Sequence, residues 1–236
     1  MKVLVLGHMG MLGSMVVKYL QCKPAAGDIE VCVSNTQWPE NKQEIVAFNG
    51  DYIVNCIGAI PQKTDNFDIN WQLPIWLDLN APCKIIHPGT DADDNTSYGI
   101  SKHVALKYIM YNSNQTKIIQ TSIIGPEIQS NSNLLEWFLQ HPPNSIVNGY
   151  VDVVWCGMTT LEWSKQCVNI MHNWDNHHIV SIFDESRSQL TKYELLETIN
   201  TVFGKNIKVT KALKSKINNK MILHQLKELK EFYYDK

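Results

Sequence analysis

Short apolar runs alternate with segments of helical periodicity through the first half of the chain. We predict strands at Lys2–Leu6, Ile29–Ser34, Tyr52–Cys56, Cys83–His87 and Lys117–Ile124. Continuous apolar runs of this length are typical of strands that are buried on both faces of a parallel sheet. Because apolar residues recur at helical spacing between most of these runs, the pattern predicts an α/β fold with a doubly wound parallel sheet.

Beyond about Gly125 the alternation is less regular, and a smaller lobe is expected there. Residues 1–125 are predicted to form the sheet domain and residues 126–236 a small C-terminal lobe packed on it, some of whose elements can return to the sheet. In this part we predict strands at Ser145–Tyr150 and His178–Phe183, and helices at Leu134–Leu139, from Thr160 to about Met171, from Thr191 to about Phe203 and at Met221–Tyr234. Thr191 and Glu194 have the spacing of a capping box, which marks a helix start.

The composition fits a compact globular protein and argues against several classes of function. The chain has 236 residues, of which 44% are hydrophobic and 19% charged, and its net charge is −2. Because nucleic-acid binders need an excess of positive charge, no nucleic-acid partner is expected. Arg187 is the only arginine, so backbone amides or lysines would have to bind any phosphate group.

Cysteines, histidines and the N-terminal segment give no sign of a metal, of secretion or of a membrane. The six cysteines form no C-x-x-C pair, which favours free thiols in a reducing compartment. His172, His177 and His178 lie in a polar segment that we interpret as a solvated loop, so no metal is expected. The first apolar run is too short for a signal peptide or a membrane span, and we therefore expect a cytoplasmic protein. The sequence is compatible with a homodimer and does not fix the oligomeric state.

A glycine-rich loop separates the first predicted strand from a helix. Three glycines with the spacing G-x-x-G-x-x-G follow Lys2–Leu6 directly. Glycines in this position permit a tight turn, let the backbone approach a pyrophosphate and direct a helix N-terminus at it. The loop therefore predicts a dinucleotide site. Its predicted cofactor-binding residues are Gly7, Met9, Gly10, Met11, Leu12 and Gly13.

The ends of the next two predicted strands bear on the cofactor. In dinucleotide folds an acidic residue at the end of the second strand favours NAD, and a basic residue favours NADP. Ser34 and Asn35 are neither, and polar groups tolerate a phosphate better than a carboxylate would, so NADP(H) is favoured over NAD(H). Cys56, Ile57 and Gly58 follow, and a small-residue strand end lets the backbone pack beside a dinucleotide.

Three residues after the next predicted strand form a candidate catalytic group. Thr90 follows Cys83–His87, and Tyr98 and Lys102 lie four residues apart at the start of an apolar-periodic segment. On a helix such a pair shares one face. A nearby ammonium group lowers the pKa of a tyrosine, which makes the phenol a better acid–base group. Since ligands of open α/β sheets gather at the carboxyl ends of strands, the glycine loop, Gly58 and Thr90 would face one crevice.

A series of motifs resembles the extended short-chain dehydrogenase/reductases, and within them the dTDP-4-dehydrorhamnose reductase family. The resemblance covers most of the chain. Its motifs are the glycine loop, Asp51–Gly58, Asn70-x-x-x-Pro74, Gly89-Thr90-Asp91, Tyr98-Gly99-x-Ser101-Lys102, Thr121–Glu127, Leu134–Phe138, Trp155-x-Gly157-x-Thr159-Thr160 and Ser188–Leu196. It implies a Rossmann, NAD(P)-binding domain over residues 1–125 and a substrate-binding C-terminal lobe.

The resemblance also implies a mechanism and a set of site residues. A nicotinamide delivers a hydride to the C4 ketone of a nucleotide-linked 4-keto-6-deoxyhexose, in deoxysugar synthesis of the dTDP-rhamnose kind for a surface glycan. Tyr98 donates the proton, Lys102 lowers the Tyr98 pKa and holds the nicotinamide ribose, and Thr90 binds the ketone oxygen. The implied substrate-binding residues are Thr90, Asp91, Tyr98 and Trp155; the cofactor-binding residues outside the glycine loop are Ser34, Asn35, Cys56, Ile57, Gly58, Tyr98 and Lys102.

The chain departs from the family pattern in two places. The related 4,6-dehydratases carry Thr-Asp-Glu where this chain has Thr90-Asp91-Ala92, which favours a reductase over a dehydratase. Gly89 replaces the serine that is usual in the family. Only Asp91–Ser97 separate Thr90 from Tyr98, so the sugar pocket lacks part of its wall.

Two alternative functions remain open. The shortened loop would suit a non-catalytic NAD(P)-binding regulatory subunit, comparable to the beta subunit of methionine adenosyltransferase. The other alternative is a nucleotide-sugar epimerase or epimerase–reductase. That activity needs a further acid–base pair, for which His87 with Cys83 or Cys156 is the candidate.

Overall fold

The structure is a computed structural model and describes residues 1–22, 27–91, 95–128, 133–176, 180–181 and 190–214. Its strands are β1 Lys2–Leu6, β2 Glu30–Val33, β3 Tyr52–Asn55, β4 Lys84–Pro88, β5 Thr116–Gln120, β6 Ser122–Ile124, β7 Ile146–Tyr150, β8 Val154–Trp155, β9 Gly157–Thr159, β10 Val180–Ser181, β11 Leu190–Thr191 and β12 Lys208–Ala212. Its α-helices are α1 Met11–Leu20, α2 Lys42–Val46, α3 Ile69–Asn80, α4 Ser97–Asn112, α5 Leu134–Leu139, α6 Thr160–His172 and α7 Lys192–Val202.

Six strands form one parallel sheet in the order β10-β5-β4-β3-β1-β2. Val5 of β1 lies opposite Val33 of β2 on one side and opposite Val54 of β3 on the other. The chain moves to β2 after β1 and then crosses to β3 on the far side, so the strand order reverses at β1. The prediction of a doubly wound parallel sheet is confirmed. Ligands of such sheets bind at the carboxyl ends beside this reversal.

The central strand β1 is buried on both faces. Val3 and Val5 of β1 belong to a core cluster that includes residues of α1 and α6, whereas Leu4 and Leu6 belong to a cluster with residues of α2 and α3. All four side chains are at most 2% exposed. Burying one such side chain stabilises the fold by about 1.5–3 kcal/mol. This two-sided burial is the reason why the strands appear in the sequence as continuous apolar runs.

The strand predicted at Lys117–Ile124 is divided into two. β5 ends at Gln120 in the main sheet, and β6 starts at Ser122 and pairs in parallel with β9. The apolar pattern continues through the break, because Ile123 of β6 packs against the same core cluster as Ile119 of β5. Hydrophobicity alone therefore does not reveal the change of sheet.

The chain forms two compact units. The first comprises the described residues of Met1–His141 and Cys156–Ser188, and it contains the six-stranded sheet, β6, β9 and helices α1 to α6. The second comprises the described residues of Pro142–Trp155 and Gln189–Lys236, in which β7 pairs with β12, β8 pairs with β11, and α7 follows β11. The chain thus passes between the units more than once, whereas the sequence predicts one boundary after residue 125.

Several predicted elements of the C-terminal part can be compared with the structure. Helix Leu134–Leu139 has its predicted bounds. The capping box at the start of α7 is confirmed: the Thr191 hydroxyl accepts from the Glu194 amide at 3.2 Å, and the Glu194 carboxylate accepts from the Thr191 amide at 2.7 Å. The predicted helix Met221–Tyr234 lies outside the described residues, as does the predicted strand His178–Phe183 apart from β10. None of the helices in the described ranges has both the length and the apolar character needed to cross a membrane.

Candidate active site

The glycine loop forms a turn between β1 and α1 that leaves no space for a side chain at Gly7 or Gly13. Gly7 has a φ of +75°, and its carbonyl accepts from the Gly10 amide at 3.0 Å. A Cβ atom on Gly13 would lie 2.2 Å from the Gly7 carbonyl oxygen. Gly10 is the N-cap of α1 and has no side chain to bond the first helix amides. Those amides are the groups that a phosphate would meet at this helix N-terminus.

The loop also packs against the end of β3. A Cβ atom on Gly7 would lie 2.9 Å from Cγ1 of Ile57 and 3.0 Å from the carbonyl carbon of Cys56. The structure therefore brings these predicted cofactor-binding residues together. Within the loop the Met9 side chain is 46% exposed, whereas Leu12 is buried in the core, so Leu12 can serve a ligand only through its backbone.

Ser34, the residue after β2, forms hydrogen bonds within the protein. Ser34 is 6% exposed, and its hydroxyl donates to Oε2 of Glu44 at 2.8 Å and lies 3.0 Å from the Thr36 carbonyl. Nδ2 of Asn41 donates to the same hydroxyl at 3.2 Å. Asn35, the other residue predicted here, is exposed. The sequence predicts that the end of this strand binds the cofactor, but it does not indicate that Glu44 lies there.

Thr90 and Tyr98 meet at the carboxyl end of β4. Thr90 is 7% exposed, and its hydroxyl is hydrogen-bonded to the Tyr98 hydroxyl. Tyr98 lies in the first turn of α4, which Thr96 caps by accepting from the Gly99 amide at 3.0 Å. The edge of the Phe67 ring packs on Tyr98, with 5.8 Å between the ring centroids. Two of the three predicted catalytic side chains are therefore in direct contact.

Burial raises the pKa of Tyr98 above its usual value, the hydrogen bond with Thr90 opposes this rise, and the Asp91 charge adds to it. The expectation that Lys102 lowers this pKa is not met in the structure. Nζ of Lys102 instead donates to the Pro88 carbonyl at 3.4 Å. The protonated phenol is therefore the stable form of Tyr98 at neutral pH.

Lys102 is a buried cation between the ends of two central strands. The residue is 7% exposed, and burial lowers its pKa to about 8. A Cβ atom on Gly58 would lie 3.3 Å from Nζ of Lys102. Glycine at position 58 thus leaves the space that this ammonium group occupies beside β3.

Asn70 joins the loop after β3 to the first turn of α4. Its side chain accepts from the Ala59 amide at 2.8 Å and donates to the Ala59 carbonyl at 3.0 Å and to the Ser101 hydroxyl at 3.1 Å. Ser101 in turn donates to the Tyr98 carbonyl at 2.7 Å. Asn70 is fully buried, so this brace fixes the turn that holds Tyr98. The Asn70-x-x-x-Pro74 motif is the sequence signal for it, although the motif alone does not give Asn70 a role.

His87 is a neutral, buried histidine. Nδ2 of Asn55 donates to its Nδ1 at 3.0 Å, while Oδ1 of Asn55 accepts from the Ile57 amide at 3.0 Å. This network puts the ring proton on Nε2. Burial lowers the pKa of His87 well below its usual value, and the Lys102 charge lowers it further. Burial also raises the pKa of Cys83 to about 11, with the Asp51 charge adding to the rise. Neither group has a pKa that suits proton exchange near neutral pH.

Two predicted substrate-binding residues lie in different units. In the first unit, the Ser122 hydroxyl donates to the Asp91 carboxylate, which fixes Asp91 beside the start of β6. Trp155 belongs to β8 of the second unit, where it pairs with Leu190, and its substrate role stays a prediction. In the part of the chain that the structure describes, no group of three or more His, Cys, Asp or Glu side chains is placed to hold a metal ion.

Comparison with known proteins shows similarity in fold. The sequence matches no family model, and a search of the curated proteins finds no significant match. Among solved structures, a dTDP-4-dehydrorhamnose reductase from Clostridium acetobutylicum has a TM-score of 0.71 and 16% identity over 92% of this chain and 85% of its own. A dTDP-4-dehydrorhamnose reductase from Bacillus anthracis, solved in complex with NADP, has a TM-score of 0.66 and 12% identity over 92% of this chain and 86% of its own.

A protein of another activity is also similar. UDP-glucose 4-epimerase from Thermus thermophilus, solved in complex with NAD, has a TM-score of 0.60 and 15% identity over 95% of this chain and 93% of its own. Reductases and an epimerase thus share this architecture. At these identities the similarity establishes the Rossmann-type fold alone, because one fold supports several activities.

Proposed function

We propose that this protein is an NAD(P)H-dependent reductase that converts the C4 ketone of a nucleotide-linked 4-keto-6-deoxyhexose into an alcohol. The observation that carries the proposal is the hydrogen bond between the Thr90 and Tyr98 hydroxyls at the carboxyl edge of the sheet. Two hydroxyls that share a hydrogen bond can both turn to one carbonyl oxygen. The solved dTDP-4-dehydrorhamnose reductases support the choice of sugar. A role in deoxysugar synthesis for a surface glycan is part of this proposal.

The residues present fit a dinucleotide. The 2.2 Å approach that a Cβ on Gly13 would make to the Gly7 oxygen means that the turn is held closely against the start of α1. Backbone amides at the start of α1 would hold the pyrophosphate, which suits a chain with a single arginine. The Cys56–Gly58 segment would line the other side of the dinucleotide. When bound, the reduced nicotinamide supplies the hydride.

The polar side chains would then stabilise and protonate the oxygen that becomes negative. As the hydride reaches C4, the carbonyl electron pair moves to oxygen, which Thr90 and Tyr98 hydrogen-bond. Tyr98 gives its proton to this oxygen and becomes a phenolate. The raised pKa of Tyr98 keeps the phenol protonated until that moment. The Lys102 ammonium would hold the nicotinamide ribose.

The epimerase alternative receives less support. Epimerisation beside the ketone needs an acid and a base that exchange protons with carbon near neutral pH. His87 is 1% exposed, with its pKa well below the usual value, and the pKa of Cys83 is about 11. Neither group is suited to that exchange. The regulatory-subunit alternative predicts dinucleotide binding without turnover.

Turnover by a matched pair of variants tests the proposal. The purified chain is given NADH or NADPH with dTDP- or UDP-linked 4-keto-6-deoxyglucose, and loss of the reduced cofactor is followed by absorbance. Tyr98→Phe is expected to lower kcat by about 100-fold or more, since a positioned general acid contributes about 10²–10⁴-fold. Tyr111→Phe makes the same change on the same helix at a residue that is 82% exposed, and should leave kcat unchanged. Cofactor binding without turnover of any such ketosugar would contradict the proposal and favour the regulatory subunit.

A further inference from the structure

We infer that Glu44 selects NAD(H) over NADP(H) at the dinucleotide site, because its carboxylate lies where the 2′-phosphate of NADP would have to bind. The inference rests on the proposed function, which places a dinucleotide on the glycine loop. It concerns a residue that lies ten positions after Ser34, in a different element, α2.

The position of Ser34 relative to the glycine loop gives the first step. Val33 pairs with Val5 in the parallel register of β2 and β1, so Ser34 stands beside Leu6, the residue before Gly7. The carboxyl end of β2 is therefore the neighbour of the glycine turn. In dinucleotide folds the adenosine ribose meets the chain at this strand end.

The hydrogen bonds of Ser34 then bring a carboxylate to this strand end. Oε2 of Glu44 lies 2.8 Å from the Ser34 hydroxyl, which also accepts from Nδ2 of Asn41 at 3.2 Å. The proton of Ser34 has two acceptors, and Glu44 at 2.8 Å is nearer than the Thr36 carbonyl at 3.0 Å. Ser34 is 6% exposed, whereas Glu44 is exposed, so Glu44 is the group of this network that a ligand can reach.

No lysine of the described ranges forms an ion pair with Glu44. The ion pairs within 4.0 Å in those ranges join other residues. Lys42 lies on the same short helix, but its Nζ is 4.8 Å from the centroid of the Trp38 ring and 5.5 Å from that of Trp76. This cation is thus engaged by two indoles. A free carboxylate can accept hydrogen bonds from the 2′- and 3′-hydroxyls of a ribose, whereas it repels a 2′-phosphate.

This inference reverses the preference for NADP(H) that the sequence suggested. The acidic residue that is usual at this strand end is absent here, because Ser34 is neutral. Glu44, which is hydrogen-bonded to Ser34, supplies the carboxylate instead. A rule that examines only the last residues of the strand cannot detect a carboxylate contributed by the following helix.

Equilibrium binding of the two reduced cofactors tests the inference without any sugar substrate. NADH and NADPH are titrated into the full chain and bound cofactor is followed by its fluorescence, for the wild type, Glu44→Gln and Glu40→Gln. The wild type is expected to bind NADH about tenfold or more tightly than NADPH, because like charges at close range repel each other. Glu44→Gln keeps an acceptor for Ser34 but loses the charge, so it should tighten NADPH binding and bring the two Kd values within about threefold of each other. Glu40→Gln removes an equal charge from an exposed residue four positions away and should keep the wild-type ratio.

The possible results separate this inference from the proposed function. A wild type that binds NADPH as tightly as NADH, or a Glu44→Gln variant that keeps the wild-type ratio, would overturn the role of Glu44 while leaving the reductase proposal intact. An equal change of the ratio in Glu40→Gln would overturn it too, since it would indicate a general charge effect. A folded wild type that binds neither cofactor would overturn both the proposed function and this inference.

Discussion

Lys102 shows how the candidate site places function above stability at the level of a single residue. Its ammonium group is 7% exposed and hydrogen-bonds one backbone carbonyl at 3.4 Å. Burial lowers its pKa from 10.5 to about 8, which means that the folded protein holds this proton less tightly than the unfolded chain does. One pKa unit corresponds to about 1.4 kcal/mol, so the buried charge destabilises the fold by up to about 3 kcal/mol. A purely structural residue at this position would be apolar.

Replacing Lys102 with methionine is therefore expected to stabilise the protein and to abolish turnover. Below about pH 8 the buried charge destabilises the native wild type by its full amount. Lys102→Met should therefore unfold at a higher temperature than the wild type in this range. Between about pH 8 and pH 10.5 the native amine loses its proton while the unfolded chain keeps it, so wild-type stability rises and the advantage of the variant shrinks.

The difference in unfolding temperature between Lys102→Met and the wild type is measured by circular dichroism at about pH 7 and about pH 9.5. These values lie at roughly the two ends of the Lys102 titration. Lys107→Met is the control, because Lys107 is exposed on the same helix. A Lys102→Met variant that is less stable than the wild type at pH 7, or whose difference from it does not change with pH, would show that the charge is not costly there.

At the scale of elements, the turn between β1 and α1 depends on one glycine more than on the others. A Cβ atom on Gly13 would lie 2.2 Å from the Gly7 carbonyl oxygen, whereas one on Gly10 would lie at 3.4 Å, which is ordinary contact. Gly10 also has a φ of −82°, which any residue can adopt. The same chemical change should thus have different consequences at two positions three residues apart.

We expect Gly13→Ala to lower the free energy of unfolding by about 1–3 kcal/mol, because the backbone must shift to accept the methyl group. Gly10→Ala should lower it less, by about 0.5–1 kcal/mol, because the methyl group fits but alanine is a poorer N-cap residue than glycine. Urea unfolding of the two variants beside the wild type gives both values. Equal losses of stability in the two variants would mean that the loop is not held as closely as the structure indicates.

The loop between β3 and α3 is a second element with a predicted role. Nζ of Lys63 lies 2.6 Å from Oε1 of Glu127, and the Asn70 side chain bonds Ala59, so the loop is held at two positions. Phe67, which follows Lys63 in the loop, packs edge-on against Tyr98. We expect this aromatic residue to provide some of the pocket wall that the short segment between Thr90 and Tyr98 lacks.

Phe67→Leu should accordingly raise the KM for the sugar nucleotide by about two- to tenfold, which is the range that one aromatic contact supports. kcat should change less, because Thr90 and Tyr98 remain in place. Steady-state kinetics at saturating cofactor measure the two constants separately. Phe203→Leu, at a residue that is 52% exposed in the second unit, is the control. An unchanged KM in Phe67→Leu would remove Phe67 from the pocket.

At the scale of the whole molecule, the hydrophobic pattern was sufficient to predict the class of fold. Strands buried on both faces, such as β1 and β3, leave apolar runs that cannot be confused with surface segments. The pattern predicts no strand between Ser34 and Tyr52, and the structure has only the short helix α2 there, so β2 is the edge of the sheet.

The candidate site was predicted less completely than the fold, for a physical reason. Thr90, Tyr98 and the glycine loop could be proposed from the sequence because their spacing along the chain reflects local geometry. Asn70, Phe67 and Glu44 act through contacts between segments that are distant in sequence, and neither residue type nor spacing indicates such contacts. The direction of the Tyr98 pKa shift was missed for the same reason, since it depends on burial in the fold.

The central claim is that this molecule moves a hydride from a nicotinamide to C4 of a ketosugar, and isotope transfer tests it most directly. The full chain is incubated with NADH or NADPH that carries deuterium at the transferable position of the nicotinamide, together with the nucleotide-linked 4-keto-6-deoxyglucose. The product sugar is then analysed by NMR and mass spectrometry. The account predicts one deuterium, bound to C4, in a product that Tyr98→Phe forms about 100-fold or more slowly. A cofactor that keeps its deuterium, or a sugar labelled at another carbon, would contradict the assignment.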